Sequence, residues 1–318
     1  MKARRQGARA GVLVTGVCGR LGLQLVRSLH RTEKVIGIDT REGSVLPRDV
    51  THHRIDMRRR RSRDIFRRAG VRAVIHLGIM HDPRASAAER HSWNVDAFSS
   101  VLEFIRDYHI PKLVLLSTGA VYGPLPDNPQ FIAEDHTLKG GARDPQLGDL
   151  IEVDMLAQSY FWQNPECETV ILRPTHIVGT VRNGVMEYAR LERPPMALGY
   201  DPLIQLVHEK DVVKAIMLAL RPGLAGIFNV AAGGQMPLSR VLRLVGKDPV
   251  HVPSGILRTA LRLSRGLKAF EFHEAQVDYI LFPCMLDTGR ASRTLGFEPD
   301  HDVFSCIEEV RCAISEEP

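Results

Sequence analysis

A short apolar run that leads into three spaced glycines constrains the fold of this chain more than any other stretch. The run is Val12-Leu13-Val14-Thr15, and Gly16, Gly19 and Gly22 follow it with the spacing G-x-x-G-x-x-G. Its β-branched residues predict a strand buried on both faces, and leucines then recur at helical spacing from Leu21 to Leu29. Glycines at such a turn let a pyrophosphate approach the backbone N–H groups of the helix N-terminus. The stretch therefore predicts a phosphate-binding turn between a strand and a helix.

An acidic residue ends the second predicted strand. Lys34 to Asp39 has strand character, and Asp39 lies 17 residues beyond Gly22. A carboxylate at this place accepts hydrogen bonds from the adenosine ribose hydroxyls and repels the 2′-phosphate of NADP. Asp39 thus favours NAD over NADP, although Arg41 could soften the discrimination. The alternative is an ordinary acid in a turn.

Strands and helices continue to alternate along the chain. A third strand is predicted to end at Arg54–Met57, a fourth spans Val71–Gly78, and a fifth spans Lys112–Thr118 after a helix from about Asn94 to Tyr108. This order is typical of α/β proteins with a doubly wound parallel sheet, the Rossmann fold. We expect residues 1–10 to form a flexible basic tail and residues 11–180 a nucleotide-binding domain. Residues 181–318 would form a smaller substrate lobe, with strands returning to the sheet near 203–208 and 226–230.

Composition excludes several classes of protein. Apolar residues make up 44% and charged residues 25% of the chain, which is ordinary for a globular protein. No apolar run has the length of a membrane span, and no signal-peptide core follows the basic start, so we expect a cytoplasmic protein without membrane contact. The five cysteines form no C-x-x-C pair, which favours reduced thiols and no metal site.

The net charge of +5 comes partly from one dense arginine run. The run is Arg58 to Arg61, followed by Arg63, Arg67 and Arg68 on a predicted helix. Nucleic-acid sites interleave basic residues with aromatic side chains for stacking, and these are nearly absent here. We therefore interpret the run as a solvated helix face and predict no nucleic-acid partner.

Several motifs in the same order resemble those of one family, the extended short-chain dehydrogenases/reductases of the NAD-dependent epimerase/dehydratase type. The similar segments are Thr15 to Gly22 (T-G-x-x-G-x-x-G in the family), His76-Leu77-Gly78 (H-L-A), Asn94-Val95 (N-V-x-G-T), Ser117 to Gly123 (S-S-x-x-V-Y-G), Leu172-Arg173-Pro174 (L-R-P), Gln205 to Val212 (q-f-v-H-v-d-D-v) and Asp287 to Phe297 (D-x-x-R…L-G-F). The resemblance implies the Rossmann fold, NAD as cofactor, a small-molecule substrate and a homodimer.

The resemblance also implies a set of cofactor-binding residues. They are Gly16, Gly19, Arg20, Leu21 and Gly22 at the pyrophosphate, Asp39 at the ribose, Asp56 and Met57 at the adenine, and Leu77, Gly78, Asn94 and Pro174 along the rest of the dinucleotide. Thr118 stands where the family keeps a catalytic serine or threonine, whose hydroxyl bonds to the reacting substrate oxygen. The alternative role for Thr118 is to cap the next turn.

The chain departs from the family at the acid/base pair. The family uses a tyrosine in Y-x-x-x-K, in which the lysine lowers the phenol pKa. With Asp154 taken as the helix acid, the pair would fall near Gln146 or Leu147 and Leu150 or Ile151, none of which moves a proton at neutral pH. Tyr108 does have Lys112 four residues on, but the intervening proline breaks the helix that would align them.

Three interpretations remain open. The chain could be an NAD(P)-dependent oxidoreductase or epimerase that acts on a carbinol or ketone of a nucleotide-sugar or sterol-like substrate. Another group would then move the proton, the candidates being His176, Asp149, Glu152 and Asp154. It could instead be a non-catalytic dinucleotide-binding sensor or scaffold, or an enzyme of different chemistry in which the cofactor is structural. For His176, a strand-end histidine with a satisfied hydrogen bond is the competing interpretation.

Overall fold

The computed structural model describes residues 10–80, 85–142, 146–180, 188–256 and 278–315, without the side chains of residues 142 and 146. The predicted basic tail lies outside these ranges except for the exposed Ala10.

The strands are numbered here in chain order. They are β1 (Gly11–Thr15), β2 (Val35–Asp39), β3 (Thr51–Arg54), β4 (Val71–His76), β5 (Lys112–Leu116), β6 (Glu168–Pro174), β7 (His176–Val178), β8 (Pro195–Ala197), β9 (Leu203–Ile204), β10 (Leu206–His208), β11 (Gly226–Val230), β12 (Met236–Pro237) and β13 (Val250–Val252).

The helices flank these strands. They are α1 (Arg20–Leu29), α2 (Arg60–Ala69), α3 (Ala87–His91), α4 (Ala97–Asp107), α5 (Gln146–Gln163), α6 (Glu209–Ala219), α7 (Leu238–Leu244), α8 (Asp278–Leu281) and α9 (Val303–Ser315), with single-turn helices at Ser92–Asp96, Gly119–Val121, Gly140–Ala142 and Ala291–Leu295.

Seven strands form one sheet in the order β11-β6-β5-β4-β1-β2-β3. The registered pairs β1 with β2, β1 with β4, β2 with β3 and β4 with β5 are parallel. All residues of β1 and β2 are buried, as expected for strands covered by helices on both faces. The crossover order confirms the predicted doubly wound α/β fold.

Several predicted boundaries differ from the structure, and the fourth and fifth strands each end two residues early, at His76 and Leu116. The third strand ends at Arg54, because the backbone then turns, with Arg59 N bonding to Asp56 O at 3.0 Å. The helical stretch predicted from Asn94 begins at Ala87, where Ser86 caps it by accepting a bond from Glu89 N at 3.2 Å. Sequence analysis overlooked this capping serine.

The arginine-rich helix α2 shows an exposed basic face. Only Ser62 and Phe66 are buried within it, whereas the arginines from Arg58 to Arg68 are exposed. Arg63 bonds to Asp107 at 2.7 Å, and Arg67 pairs with Asp64 on the helix itself. The run thus has the solvated character expected from the near absence of aromatic residues within it, although Arg58 lies over the ring of Trp93 at 5.1 Å. No helix among the described residues is both long enough and apolar enough to traverse a membrane.

The chain divides into two compact units. The first comprises Met1–Leu116, Glu152–Ile171 and Ala219–Gly226, and the second comprises Ser117–Ile151, Leu172–Leu218 and Ile227–Pro318. Within the second unit, α7 and α9 pack their buried faces, including Leu242 and Ile307, into one apolar core. The segment 203–208 that was predicted to return to the sheet instead forms two short strands. Of these, β10 pairs with β7 in a separate two-stranded sheet.

Candidate functional site

The turn between β1 and α1 has room only for glycine at two positions. Gly16 has a φ of +72°, and a Cβ there would lie 2.8 Å from the carbonyl oxygen of Leu77. A Cβ on Gly22 would overlap the carbonyl oxygen of Gly16 and lie 2.8 Å from that of Val17. These neighbours are backbone atoms that cannot move aside. Close packing against the loop after β4 therefore requires glycine at position 16, and close packing within the turn requires it at position 22.

The first turn of α1 places the start of a helix directly after the glycine turn. Gly19 occupies the N-cap position and provides no capping side chain, and no acidic residue lies in the first helical turn. The N–H groups at a helix start carry a partial positive charge and favour anions. Arg20 adds a positively charged side chain at the first position of the helix, and Leu21, at the next, is half-buried.

Asp39 ends β2 beside this turn and is almost fully buried. One carboxylate oxygen accepts bonds from Arg41 N and Nε, both at 3.0 Å. The other accepts from Cys18 N and Arg41 Nη2, both at 2.9 Å. Burial alone would raise the pKa of Asp39, but the bonds from Arg41 and Cys18 outweigh it and hold the pKa below its usual range. Asp39 is therefore ionised at neutral pH.

A similar pair of an acid and an arginine, Asp56 and Arg58, follows β3. Asp56 accepts bonds from Arg58 N at 2.9 Å and from Arg58 Nη2 at 2.6 Å. These bonds from Arg58 lower the pKa of Asp56 despite partial burial. The neighbouring Met57 is buried. The structure thus places an ionised acid and an apolar side chain next to each other.

The loop after β4 is held by residues at the start of the next helical stretch. The buried Asn94 accepts from Met80 N at 2.7 Å through Oδ1 and donates to Met80 O at 3.2 Å through Nδ2. Trp93 Nε1 donates to Gly78 O at 3.1 Å. Asn94 therefore fixes the backbone of the loop that contains Leu77 and Gly78.

A buried polar pair beneath the glycine turn was missed by sequence analysis. Thr15 Oγ1 and His76 Nδ1 are 2.8 Å apart, and His76 is 1% exposed. Desolvation lowers the pKa of His76 to about 4, so its imidazole is neutral at pH 7. The threonine and histidine were visible in the motifs T-G-x-x-G and H-L-G, but nothing in their spacing showed that they bond to each other.

Thr118 lies two residues after β5 and caps the short helix Gly119–Val121. Its Oγ1 accepts a bond from Ala120 N at 3.2 Å, and the residue is half-buried. The capping role that was considered as an alternative is thus present. Accepting this bond uses one lone pair of the hydroxyl and leaves its proton to donate elsewhere.

The tyrosine of the V-Y-G segment is part of a buried polar network. Tyr122 donates to Asn229 Oδ1 at 2.9 Å and accepts from Arg173 Nη1 at 2.7 Å. The Arg173 guanidinium also lies 5.0 Å from the centroid of the Tyr122 ring and donates to Glu134 O at 3.0 Å. Glu134 in turn accepts from Asn229 N at 3.0 Å. Tyr122 and Arg173 are both fully buried, so this network supports the second unit internally.

Helix α5 forms where the acid/base pair was expected, and it presents leucines there. Leu147 and Leu150 are both buried on this helix. Asp154 is fully buried and accepts from Gln158 Nε2 at 2.8 Å. Glu152 is exposed, with an oxygen 3.9 Å from His91 Nδ1. The side chain of Gln146 lies outside the described atoms.

His176 begins β7, two residues after Pro174 ends β6. Its ring lies 5.2 Å from that of Tyr279, edge to face. Desolvation lowers the pKa of His176 to about 4, so this imidazole is also neutral at pH 7. A neutral imidazole with this pKa is a weak base at pH 7 and cannot act as an acid there.

A family model described as "NAD dependent epimerase/dehydratase family" matches residues 12–231. The chain belongs to this family. The match confirms the resemblance drawn from the motifs. Because the family is NAD-dependent, it also confirms NAD as the expected cofactor.

The chain is similar to one mycobacterial protein in sequence and to two solved enzymes in fold. An uncharacterized protein of Mycobacterium tuberculosis is 28% identical over 309 residues, which cover 91% of this chain and 80% of the relative. The dTDP-glucose 4,6-dehydratase of Bacillus anthracis, solved with NAD, superposes with a TM-score of 0.72 at 17% identity over 97% of each chain. The UDP-glucose 4-epimerase of Thermotoga maritima, solved with UDP-glucose, gives a TM-score of 0.71 at 19% identity and covers 96% of this chain and 98% of its own. At these identities the two enzymes show a common fold.

Proposed function

We propose that this chain binds NAD and transfers hydride to or from a carbinol or ketone of a small molecule, such as a nucleotide sugar or a sterol-like compound. The observation that carries the proposal is the glycine turn, where backbone atoms exclude a Cβ at Gly16 and Gly22. The absence of side chains at these glycines lets a pyrophosphate approach the backbone of the first α1 turn.

The residues around the turn fit a dinucleotide. The proposed pyrophosphate site comprises Gly16, Gly19, Arg20, Leu21 and Gly22, and the proposed remaining contacts are Asp39, Asp56, Met57, Leu77, Gly78, Asn94 and Pro174. Asp39 is ionised and can accept hydrogen bonds from a ribose. Asn94 acts on this site through the loop it fixes, since both ends of its amide bond to the backbone of Met80.

Thr118 is the proposed catalytic residue. When bound, oxidised NAD would accept the hydride from a carbinol, and reduced NADH would donate it to a ketone. The Thr118 hydroxyl keeps its lone-pair bond to Ala120 N and donates its proton toward the substrate oxygen, where it stabilises the charge that develops. His176, neutral at pH 7, would orient the substrate and act only as a weak base. We therefore expect slow turnover compared with a family member that has the tyrosine and lysine.

A second candidate function is a non-catalytic NAD-binding sensor or scaffold. The residues expected to move a proton are replaced by Gln146 or Leu147 and by Leu150 or Ile151, and the pKa of His176 is far from neutral. Both observations favour a protein that holds the cofactor without turning it over. A homodimer remains an expectation of the family resemblance, and Met155 and Trp162, seven residues apart on α5, expose 56% and 78% of their surface as an apolar stripe for it.

Calorimetric titration with NAD and NADP tests the cofactor site. The parent protein should bind NAD more tightly, and Asp39→Ala should erode the preference by about tenfold, because the carboxylate that accepts from ribose and repels phosphate is lost. Equal affinity of the parent protein for NAD and NADP would contradict the role given to Asp39. Nicotinamide absorbance, followed with nucleotide sugars, sterols and aldehydes, then separates the two functions. Turnover supports the enzyme, and tight NAD binding without turnover supports the sensor.

A further inference from the structure

Donors from the protein itself saturate the carboxylate of Asp39. A carboxylate offers about four lone-pair sites, and four donors occupy them: Cys18 N, Arg41 N, Arg41 Nε and Arg41 Nη2. The two ribose hydroxyls of NAD need acceptor sites on this same carboxylate. At least part of the present arrangement must therefore give way when NAD binds.

The Arg41 guanidinium is the part that can move. The N–H groups of Cys18 and Arg41 belong to the backbone of the glycine turn and of the loop after β2, so their positions are fixed by the fold. The Arg41 side chain is 60% exposed, whereas that of Asp39 is 4% exposed. Release of the guanidinium into water costs less than movement of either backbone segment.

The guanidinium also lies against the glycine turn. A Cβ built on Gly19 would be 3.5 Å from Arg41 Nη2. A positive charge at the ribose end of the turn attracts a 2′-phosphate, whereas the Asp39 carboxylate repels one. Arg41 therefore opposes both effects by which Asp39 would select NAD.

The geometry points to Arg41 as a displaceable clamp that competes with NAD for Asp39, weakens NAD binding and narrows the discrimination against NADP. This inference rests on the proposed cofactor site. NAD must displace the two guanidinium bonds, whereas NADP can keep the guanidinium as a partner for its additional phosphate. The same sequence position thus sets both affinities, in opposite directions.

Two substitutions of Arg41 and one matched control test the clamp by calorimetric titration. Arg41→Met removes the planar guanidinium and its charge but keeps an unbranched apolar chain similar to the aliphatic part of arginine. NAD affinity should rise about fivefold, because NAD no longer has to displace a partly exposed charge pair. NADP affinity should fall about tenfold, because the partner for its additional phosphate is lost. Arg41→Lys keeps the charge but not the planar guanidinium. The affinity for NAD should therefore rise, while the affinity for NADP stays within about threefold of the parent value.

The control is Arg54→Met. Arg54 pairs in register with Asp39 on the adjacent strand and donates to Thr40 O at 3.1 Å, so its loss removes the same charge nearby without freeing Asp39. It should leave the ratio of the two affinities unchanged. The clamp would be contradicted if Arg41→Met and Arg54→Met had the same NAD affinity and the same ratio of NAD to NADP affinity. The melting temperature of Arg41→Met would have to equal that of the parent protein for this conclusion. If the parent does not bind NAD, the proposed cofactor site is wrong as well, whereas turnover assays have no bearing on this inference.

Discussion

The glycine turn and the first half of helix α5 keep the family's pattern to different extents. At the turn, the residues and the contacts that require them are both present, because a Cβ at Gly22 would overlap the Gly16 carbonyl. On α5 the helix forms, with Leu147, Leu150 and Val153 buried, but the stretch 146–151, where the family resemblance leads us to expect a tyrosine and a lysine, contains neither. A helix needs only its buried face in order to pack, whereas proton transfer needs particular groups. The packing of α5 therefore does not depend on the presence of an acid/base pair.

The largest effect expected from this comparison follows from Gly22→Ala. The added methyl group meets fixed backbone oxygens of Gly16 and Val17, so the turn must open. We expect NAD affinity to fall about 100-fold or more and stability to fall by about 1–3 kcal/mol. Titration with NAD and urea unfolding measure the two effects.

The matched control for this substitution lies on α5. Gly148 is exposed, and a Cβ there would have nothing within 4 Å. Gly148→Ala should therefore raise stability by about 0.5–1 kcal/mol and leave NAD affinity unchanged. Similar losses of NAD affinity in both variants would remove the distinction between the two regions.

A second prediction concerns Tyr122, the tyrosine of the V-Y-G segment, and tests whether its role is structural or catalytic. Tyr122→Phe leaves Arg173 and Asn229 without the hydroxyl that joins them. Stability should fall by about 2–3 kcal/mol, because hydrogen bonds to a buried charged group are lost. Tyr200→Phe, at a side chain that is 40% exposed, serves as the control and should have little effect. If Tyr122→Phe abolished turnover at unchanged stability, Tyr122 would be catalytic.

The smallest expected effect is a pH dependence set by His76 beneath the glycine turn. Its pKa of about 4 in the folded protein lies below the value of about 6.5 expected in the unfolded chain. The unfolded chain therefore binds the proton more tightly, and stability is complete above pH 6.5 and is lost as the pH falls toward 4. Between pH 7 and pH 5 this histidine should cost about 2 kcal/mol of unfolding free energy.

Urea unfolding of the parent protein and of His76→Gln at both pH values measures this contribution. The variant should lose less stability between pH 7 and pH 5 than the parent does. His251→Gln, at an exposed histidine, should retain the pH dependence of the parent. An unchanged pH dependence in His76→Gln would show that His76 is not protonated on unfolding in this range.

Sequence analysis predicted the sheet and the glycine turn because local patterns determine both. The buried runs of β1 and β2 and the glycine spacing are legible within a few residues of chain. The bond between Thr15 and His76 joins residues 61 positions apart, and that between Tyr122 and Asn229 joins residues 107 positions apart. Such pairs follow from tertiary packing, and the motifs alone gave no signal for them.

The charge states of the candidate site residues could not be predicted from the sequence either. Arg41 was recognised as a neighbour of Asp39 in sequence, but only the geometry shows that its guanidinium donates to both carboxylate oxygens. His176 was considered as an acid/base group because free histidine titrates near neutrality. Its surroundings lower the pKa to about 4, and residues distant in sequence, such as Tyr279, create those surroundings.

The most direct test of the proposed function is NAD reduction by the parent protein, Thr118→Ser and Thr118→Ala, followed by nicotinamide absorbance on a substrate that the panel identifies. Thr118→Ser keeps the hydroxyl and the cap to Ala120 N, whereas Thr118→Ala loses both. We predict that kcat is largely retained in Thr118→Ser and falls about 100-fold in Thr118→Ala, with NAD affinity unchanged in both. Tight NAD binding with no turnover of any substrate by the parent protein would contradict hydride transfer and leave the chain as an NAD-binding sensor.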